Sequence, residues 1–136
     1  MNAQGFPLKV GVLMLITTLG LAAGITTYQT RDRNQKTELA SLLARGDPAL
    51  APDIFRRYGC TGCHTIPGIP GADGKVGGPL VDMRERVYIA GVANNDAQAL
   101  VHWIVSPSAF DAKTAMPDTG ISEAEARDLA AYLYKQ

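Results

Sequence analysis

Hydrophobic and polar positions divide this chain into three stretches. From Val10 to Tyr28 the sequence reads VGVLMLITTLGLAAGITTY, with no charge and only threonine and a terminal tyrosine as polar content. At a rise of about 1.5 Å per residue such a run makes a helix of about 28 Å, close to the ~30 Å hydrocarbon core of a bilayer. The apolar region of a cleaved signal peptide is shorter, roughly 7–15 residues, and a small-residue site should follow it. Here Ala22-Ala23-Gly24 lies inside the run and nothing after Tyr28 suits a peptidase. The pattern predicts an uncleaved transmembrane anchor.

Residues 29–50 are polar and charged. Leu39, Leu42 and Leu43 recur at i, i+3 and i+4, which predicts a short amphipathic helix from about Lys36 to Arg45. Gly46, Asp47 and Pro48 stop it. The segment reads as a tether, or as a small docking helix against a membrane partner. From Ala51 on, helical patterns alternate with Gly- and Pro-rich loops. In PDIFRRYG, Pro52 suits the first helical position, Asp53 the first turn, and Phe55 and Tyr58 share a flank. A second helix is expected from about Asp96 to Val105. The last one has a readable start, with Ile121 at N′, Ser122 as N-cap and Glu125 completing a capping box. Leu129, Tyr132 and Leu133 then share one face. The expected organisation is a terminus at 1–9, an anchor at 10–28, a tether at 29–50 and one all-α domain at 51–136.

Charge excludes one class of partner. The chain has 13 basic and 13 acidic residues with no single-sign block, whereas a nucleic-acid binder shows a basic patch or stripe. Two cysteines cannot build a disulfide framework, nor a four-thiolate metal site on their own. The domain from Ala51 is also small enough to bury too little surface, a shortage that a large covalently bound apolar group would repair.

Both cysteines fall in CTGCH, Cys60 to His64. The spacing C-x-x-C-H is that of haem attachment: two thiols reach two vinyl groups on one porphyrin edge, and the histidine meets the iron. Thr61 and Gly62 between them are small enough for a close approach. Three other readings compete. A redox dithiol wants a βαβ context, and here the motif follows a helix. A zinc site needs more ligands, and only His102 could join. A structural disulfide is the third.

The later features narrow the choice. A helix running into C-x-x-C-H, then GGPL, then WIVSP, then an isolated Met-Pro before a final helix, resembles the class I c-type cytochromes over roughly Ala51 to Lys135. That resemblance implies a small helical fold around one haem c, held by thioethers to Cys60 and Cys63. It implies His64 as the proximal iron ligand and Met116, in TAMPDTG, as the distal one. Met83, in LVDMRER, is the competitor within the domain. The carbonyl of Pro79 is expected to accept from His64 Nδ1, Leu80 to pack on the proximal side, and Trp103 to lie near the propionates. Tyr88, Arg84 and Arg86 are weaker propionate candidates. Ile66 and Ile69 are expected to cover the porphyrin, Phe110 to pack near the distal loop, and His102 to be an ordinary surface or half-buried residue. Ala51 stands where the family commonly has glycine.

The resemblance further implies one-electron transfer rather than catalysis, with no small-molecule substrate. Haem attachment in this family happens outside the cytoplasm. This orients an anchor whose flanking charges, one lysine before and two arginines after, are nearly silent. Residues 1–9 would be cytoplasmic and the haem domain periplasmic, tied to the inner membrane. A membrane respiratory complex is the expected partner, a terminal oxidase first and a quinol-oxidising complex second.

Overall fold

The apolar run is helical and the helix does not stop where the run does. In a computed structural model that describes residues 5–136, with side-chain surroundings from Lys9 on, α1 spans Gly5–Ala44. Residues 1–4 of the expected N-terminal segment lie outside the described residues. The chain divides into two units, one up to Gln35 and one of Lys36–Gln136.

In the first unit the apolar side chains are exposed, Leu13 at 63% and Leu21 at 67% among them. The five threonines of this unit turn their hydroxyls back on the helix's own carbonyls, as Thr18 does on Met14 and Leu15 and Thr27 on Ala23 and Gly24, all at 2.9–3.0 Å. A hydroxyl satisfied this way can enter hydrocarbon without an orphaned donor. Among the described residues this is the one helix long and apolar enough to cross a membrane, with a mean hydropathy of 1.9.

In the second unit the expected separate helix at 36–45 is the end of α1. No glycine or proline stands between Gly24 and Gly46 to interrupt it. Ala40 and Ala44 are buried, at 1% and 0% exposure, so the end of the supposed tether packs with the domain. Its exit is tied down as well: the Asp47 N–H donates to Asp128 Oδ1 at 2.7 Å.

α2 covers Ala51–Arg57 with Leu50 at its N-cap, so Pro52 sits one position later than the sequence suggests, still within the first turn where no N–H is needed. Gly59 follows at φ +72°, a left-handed step that reverses the chain into the single turn α3, Cys60–Cys63. After a loop, a 3₁₀ turn at Met83–Glu85 leads to a two-residue antiparallel pair, β1 (Tyr88–Ile89) and β2 (Ala93–Asn94), which the sequence did not suggest. α4, Ala97–Val105, is capped by Asp96, whose carboxylate accepts from Ala99 N at 2.8 Å. α5, Glu123–Tyr134, carries the expected capping box with both reciprocal bonds.

α5 is the central packing element. It meets α2 through a perpendicular Phe55–Tyr132 ring pair at 5.6 Å, and it packs along α4. Tyr132 Oη reaches over to donate to the Pro67 carbonyl at 2.7 Å, fastening the loop after α3. Asn95 fastens the other loop: its amide donates to the carbonyls of Met83 and Arg86, and its oxygen accepts from Tyr134 Oη.

Candidate functional site

A cavity of about 330 Å³ opens between α2, α4, α5 and the two long loops. Six of the seven residues expected to bind the haem line it, Cys60, Cys63, His64, Leu80, Trp103 and Met116, and Pro79 does not. The rest of its wall is mostly hydrocarbon, from Phe55, Ile89, Leu100, Ile104, Leu129 and Leu133. These side chains arrive together for a periodic reason. Leu100 and Ile104 are four apart on α4, Leu129 and Leu133 four apart on α5, so each helix presents one stripe.

His64 is held on one side. Gly77 lies so close to its imidazole that an added Cβ would sit 2.2 Å from Cε1. The Gly77 N–H donates to Cys63 O and the Leu80 N–H to Thr65 O, both at 2.8 Å. Between these two pins, the carbonyl of Gly78 faces Nδ1 at 2.7 Å. A carbonyl only accepts, so Nδ1 carries the proton and Nε2 keeps its lone pair for a metal. This corrects the expectation for Pro79 by one residue. The Pro79 carbonyl is turned away and accepts from Arg86 Nη2 instead, together with the Val81 carbonyl at 3.0 Å. Pro79 is exposed and is not part of the cavity wall. Its part is indirect, since a proline restricts the backbone of the residue before it, here Gly78.

Cys60 and Cys63 are free thiols, half-buried at the cavity, so they do not form the structural disulfide. Burial pushes the Cys60 thiol up, with a smaller push from the neighbouring Cys63. A redox-active dithiol needs the opposite shift. Among the described residues no cluster of three or more His, Cys, Asp and Glu side chains could hold a metal ion, which leaves the zinc reading without ligands.

Met116 is partly buried and reaches the wall from the loop between α4 and α5. Met83, its competitor, is buried at 4% exposure and also borders the cavity. Trp103 is buried and stacks edge-on against Phe110 at 6.0 Å, which gives Phe110 the packing role expected of it. His102, next to Trp103 on α4, is exposed while Leu100, Trp103 and Ile104 face inward. Of the propionate candidates Arg86 borders the cavity, and Arg84 and Tyr88 are exposed and do not. Ile66 and Ile69 are buried but line no part of it: they pack in the core, under a loop that Tyr132 fastens.

A donor set of one imidazole, one thioether sulfur and two free thiols around an apolar wall fits a covalently attached haem. Two contributors had no signal of their own in the sequence. The Gly78 carbonyl is one, although the proline after it marked the loop. The other is the Glu125 carboxylate, which accepts from Tyr58 Oη at 2.8 Å where Tyr58, already marked by the aromatic flank of its helix, borders the cavity. A family model described as cytochrome c matches residues 49–136, more than half of the chain. No curated protein and no solved structure gives a match.

Proposed function

The chain belongs to the cytochrome c family, and from that premise we propose that it is a membrane-anchored carrier of single electrons with one haem c. The fold is the family's, predominantly helical and preceded by one apolar helix long enough to span a membrane. The observation that carries the reading is the convergence of Cys60, Cys63, His64 and Met116 on a single apolar cavity.

Bound haem c supplies a one-electron Fe(II)/Fe(III) couple. The chain's own residues do the rest. Cys60 and Cys63 hold the group by thioethers. His64 offers Nε2, its ring and tautomer fixed by the Gly78 carbonyl. Met116 offers its sulfur from the other loop, and a His/Met pair raises the potential relative to two histidines. Leu80 and Trp103 line the cavity, where Leu80 would pack on the proximal side and Trp103 would lie near the propionates, and the aliphatic stripes of α4 and α5 would keep water out.

Residues 10–28 hold the protein in the inner membrane, with the haem domain on the periplasmic side, where attachment takes place. The partner is a membrane respiratory complex, a terminal oxidase before a quinol-oxidising one. From Ala51 on there are eight basic and ten acidic residues, too balanced for strong electrostatic steering. Exposed valines near the cavity, Val76 at 79% and Val87 at 71%, suit an apolar contact instead. The anchor supplies the effective concentration that charge does not.

Full-length protein from membranes, in mild detergent, tests this. The reading expects a pyridine spectrum of thioether-linked haem, a one-electron redox titration, and transfer to membrane oxidase that hardly changes with ionic strength. Haem extractable by acid acetone would sink the attachment, and a steep fall with salt would sink the docking mode.

A further inference from the structure

Met116 sits on a segment with little to hold it. Between Phe110 and Ile121 the internal bonds are short-range: Thr114 N to Asp111 O, Lys113 N to Asp111 Oδ1, and Met116 N to Thr114 Oγ1 at 3.2 Å. At the start of the segment Asp111 N donates to the carbonyl of buried Pro107 at 3.1 Å, but none of these bonds ties the stretch past Thr114 to the body of the domain. One pair does. Asp118, two residues past Met116, takes both donors of Ser108: the backbone N–H at 3.3 Å on Oδ1 and the hydroxyl on Oδ2. Ser108 belongs to a 3₁₀ turn, Pro107–Ala109, that leaves α4 directly and is buried at Pro107. Among the described residues this is the only hydrogen-bonded link from 115–120 to a residue before Thr114.

We infer that Ser108 and Asp118 are positioning residues for Met116: their paired bonds hold the methionine segment on the cavity and set how readily a foreign ligand displaces its sulfur. This rests on the reading of Met116 as the distal ligand. The chemistry favours a tie at this place. A carboxylate that accepts two bonds is a stronger and more directional fastening than a neutral pair. It also closes the loop from Ser108 to Asp118 that carries the methionine. Pro117 between Met116 and Asp118 stiffens the link, so a constraint on Asp118 is transmitted to Met116 with little slack. Because both partners are exposed, the fastening is weakened by water and stands at the low end of charged hydrogen bonds.

The test uses the holoprotein and titrates imidazole onto the ferric form. Ser108→Ala, Asp118→Ala and the double variant are compared with wild type, together with the weak far-red band of a methionine–ferric haem bond. The inference expects the band in wild type and about tenfold tighter imidazole binding in each single variant, with the double variant no tighter than either. Asp128→Ala, which removes the acceptor of Asp47 N on the α1–α5 side, serves as a destabilising control and should leave imidazole affinity unchanged. Unchanged affinity in both single variants, or an equal gain in the control, overturns the inference while the band leaves Met116 as ligand. Absence of the band in wild type overturns the ligand reading itself, and this inference with it.

Discussion

The two loops that flank the cavity are built on different principles. The loop from His64 to Leu80 is closed mainly by its backbone. Main-chain bonds pin it at Gly77 and Leu80, the Gly78 carbonyl fixes the histidine ring, and Thr65 Oγ1 donates to Gly74 O, with Tyr132 and Arg86 adding side-chain bonds from outside. Glycine at 77 brings the chain against the imidazole itself. The loop from Ser106 to Gly120 is closed by side chains, through Ser108 with Asp118 and Phe110 on Trp103. Backbone closure depends on a fold that many residues determine together. Side-chain closure depends on one or two residues, and can be tuned by substituting them. His64, the proposed nitrogen ligand, therefore sits on a loop held mainly by main-chain bonds, and Met116, the proposed sulfur ligand, on one whose fastening is set by a few side chains.

The sharpest way to break the comparison is Gly77→Ala. Its Cβ would need the space of the His64 ring, 2.2 Å from Cε1. Neither the ring nor the pinned backbone can give way, so overpacking should cost about 3 kcal/mol. The expected result is a holoprotein yield near zero, or a melting transition far below wild type with an altered histidine environment by NMR. A near-normal yield would show that the histidine loop is as adaptable as the methionine loop.

Asn95→Ala comes next. Asn95 ties the Met83–Arg86 segment to Tyr134 with three side-chain bonds. Leaving the Arg86 carbonyl and the Tyr134 hydroxyl without this partner should cost about 2 kcal/mol. Burial pushes the Tyr134 phenol up to about 12, assisted by Asp96. A phenol raised in the folded state gives stability that is complete below its unfolded value, about 10, and is lost as pH climbs toward 12. Urea unfolding of wild type should weaken across that alkaline window.

How much of this could be read from the sequence follows the same division. The parts set by local chemistry were legible: the capping box of Ser122 and Glu125, Asp96 at the start of α4, the C-x-x-C-H motif, and a lone methionine before a proline. The parts set by tertiary register were not. Whether His64 meets the carbonyl of Gly78 or of Pro79 is a shift of one residue, decided by pins from Cys63 and Thr65 that no local pattern encodes. Ile66 and Ile69 look like cavity residues by hydrophobicity, yet Tyr132 draws their loop into the core instead. The unbroken α1 was readable in principle, from the absence of glycine or proline over residues 25–45. The polar stretch at its middle reads as a tether because polarity alone does not separate a solvated helix from an irregular segment.

Arg86→Met separates the loops by readout. Arg86 closes the proximal side from outside, on the carbonyls of Pro79 and Val81. Losing these bonds should cost about 1 kcal/mol by denaturant titration, partly recovered in Arg86→Lys. Imidazole affinity should stay at the wild-type value, because the methionine segment is untouched. A gain like that expected for Asp118→Ala would mean that the two loops share one fastening.

The smallest effect concerns the residue that touches both sides. Glu125 accepts from Arg57 Nη1 at 2.7 Å and from Tyr58 Oη, at the end of the helix that leads into the cysteines. It also accepts from Ser122, the first residue after the methionine segment and Ile121. The Ser122 hydroxyl, then Tyr58, hold the Glu125 carboxyl below its ordinary range. The same bond raises the Tyr58 phenol, so both partners favour the state in which the bond exists. A carboxyl lowered by folding contributes above the usual carboxylate range and loses that contribution as pH falls through its folded value. Glu125→Gln keeps a side chain competent for the capping box but removes the charge. Its melting temperature should therefore lie slightly below wild type at neutral pH and converge with it as the solution is acidified. A gap that persists in acid would mean that Glu125 acts through shape alone, and that charge does not couple the two loops.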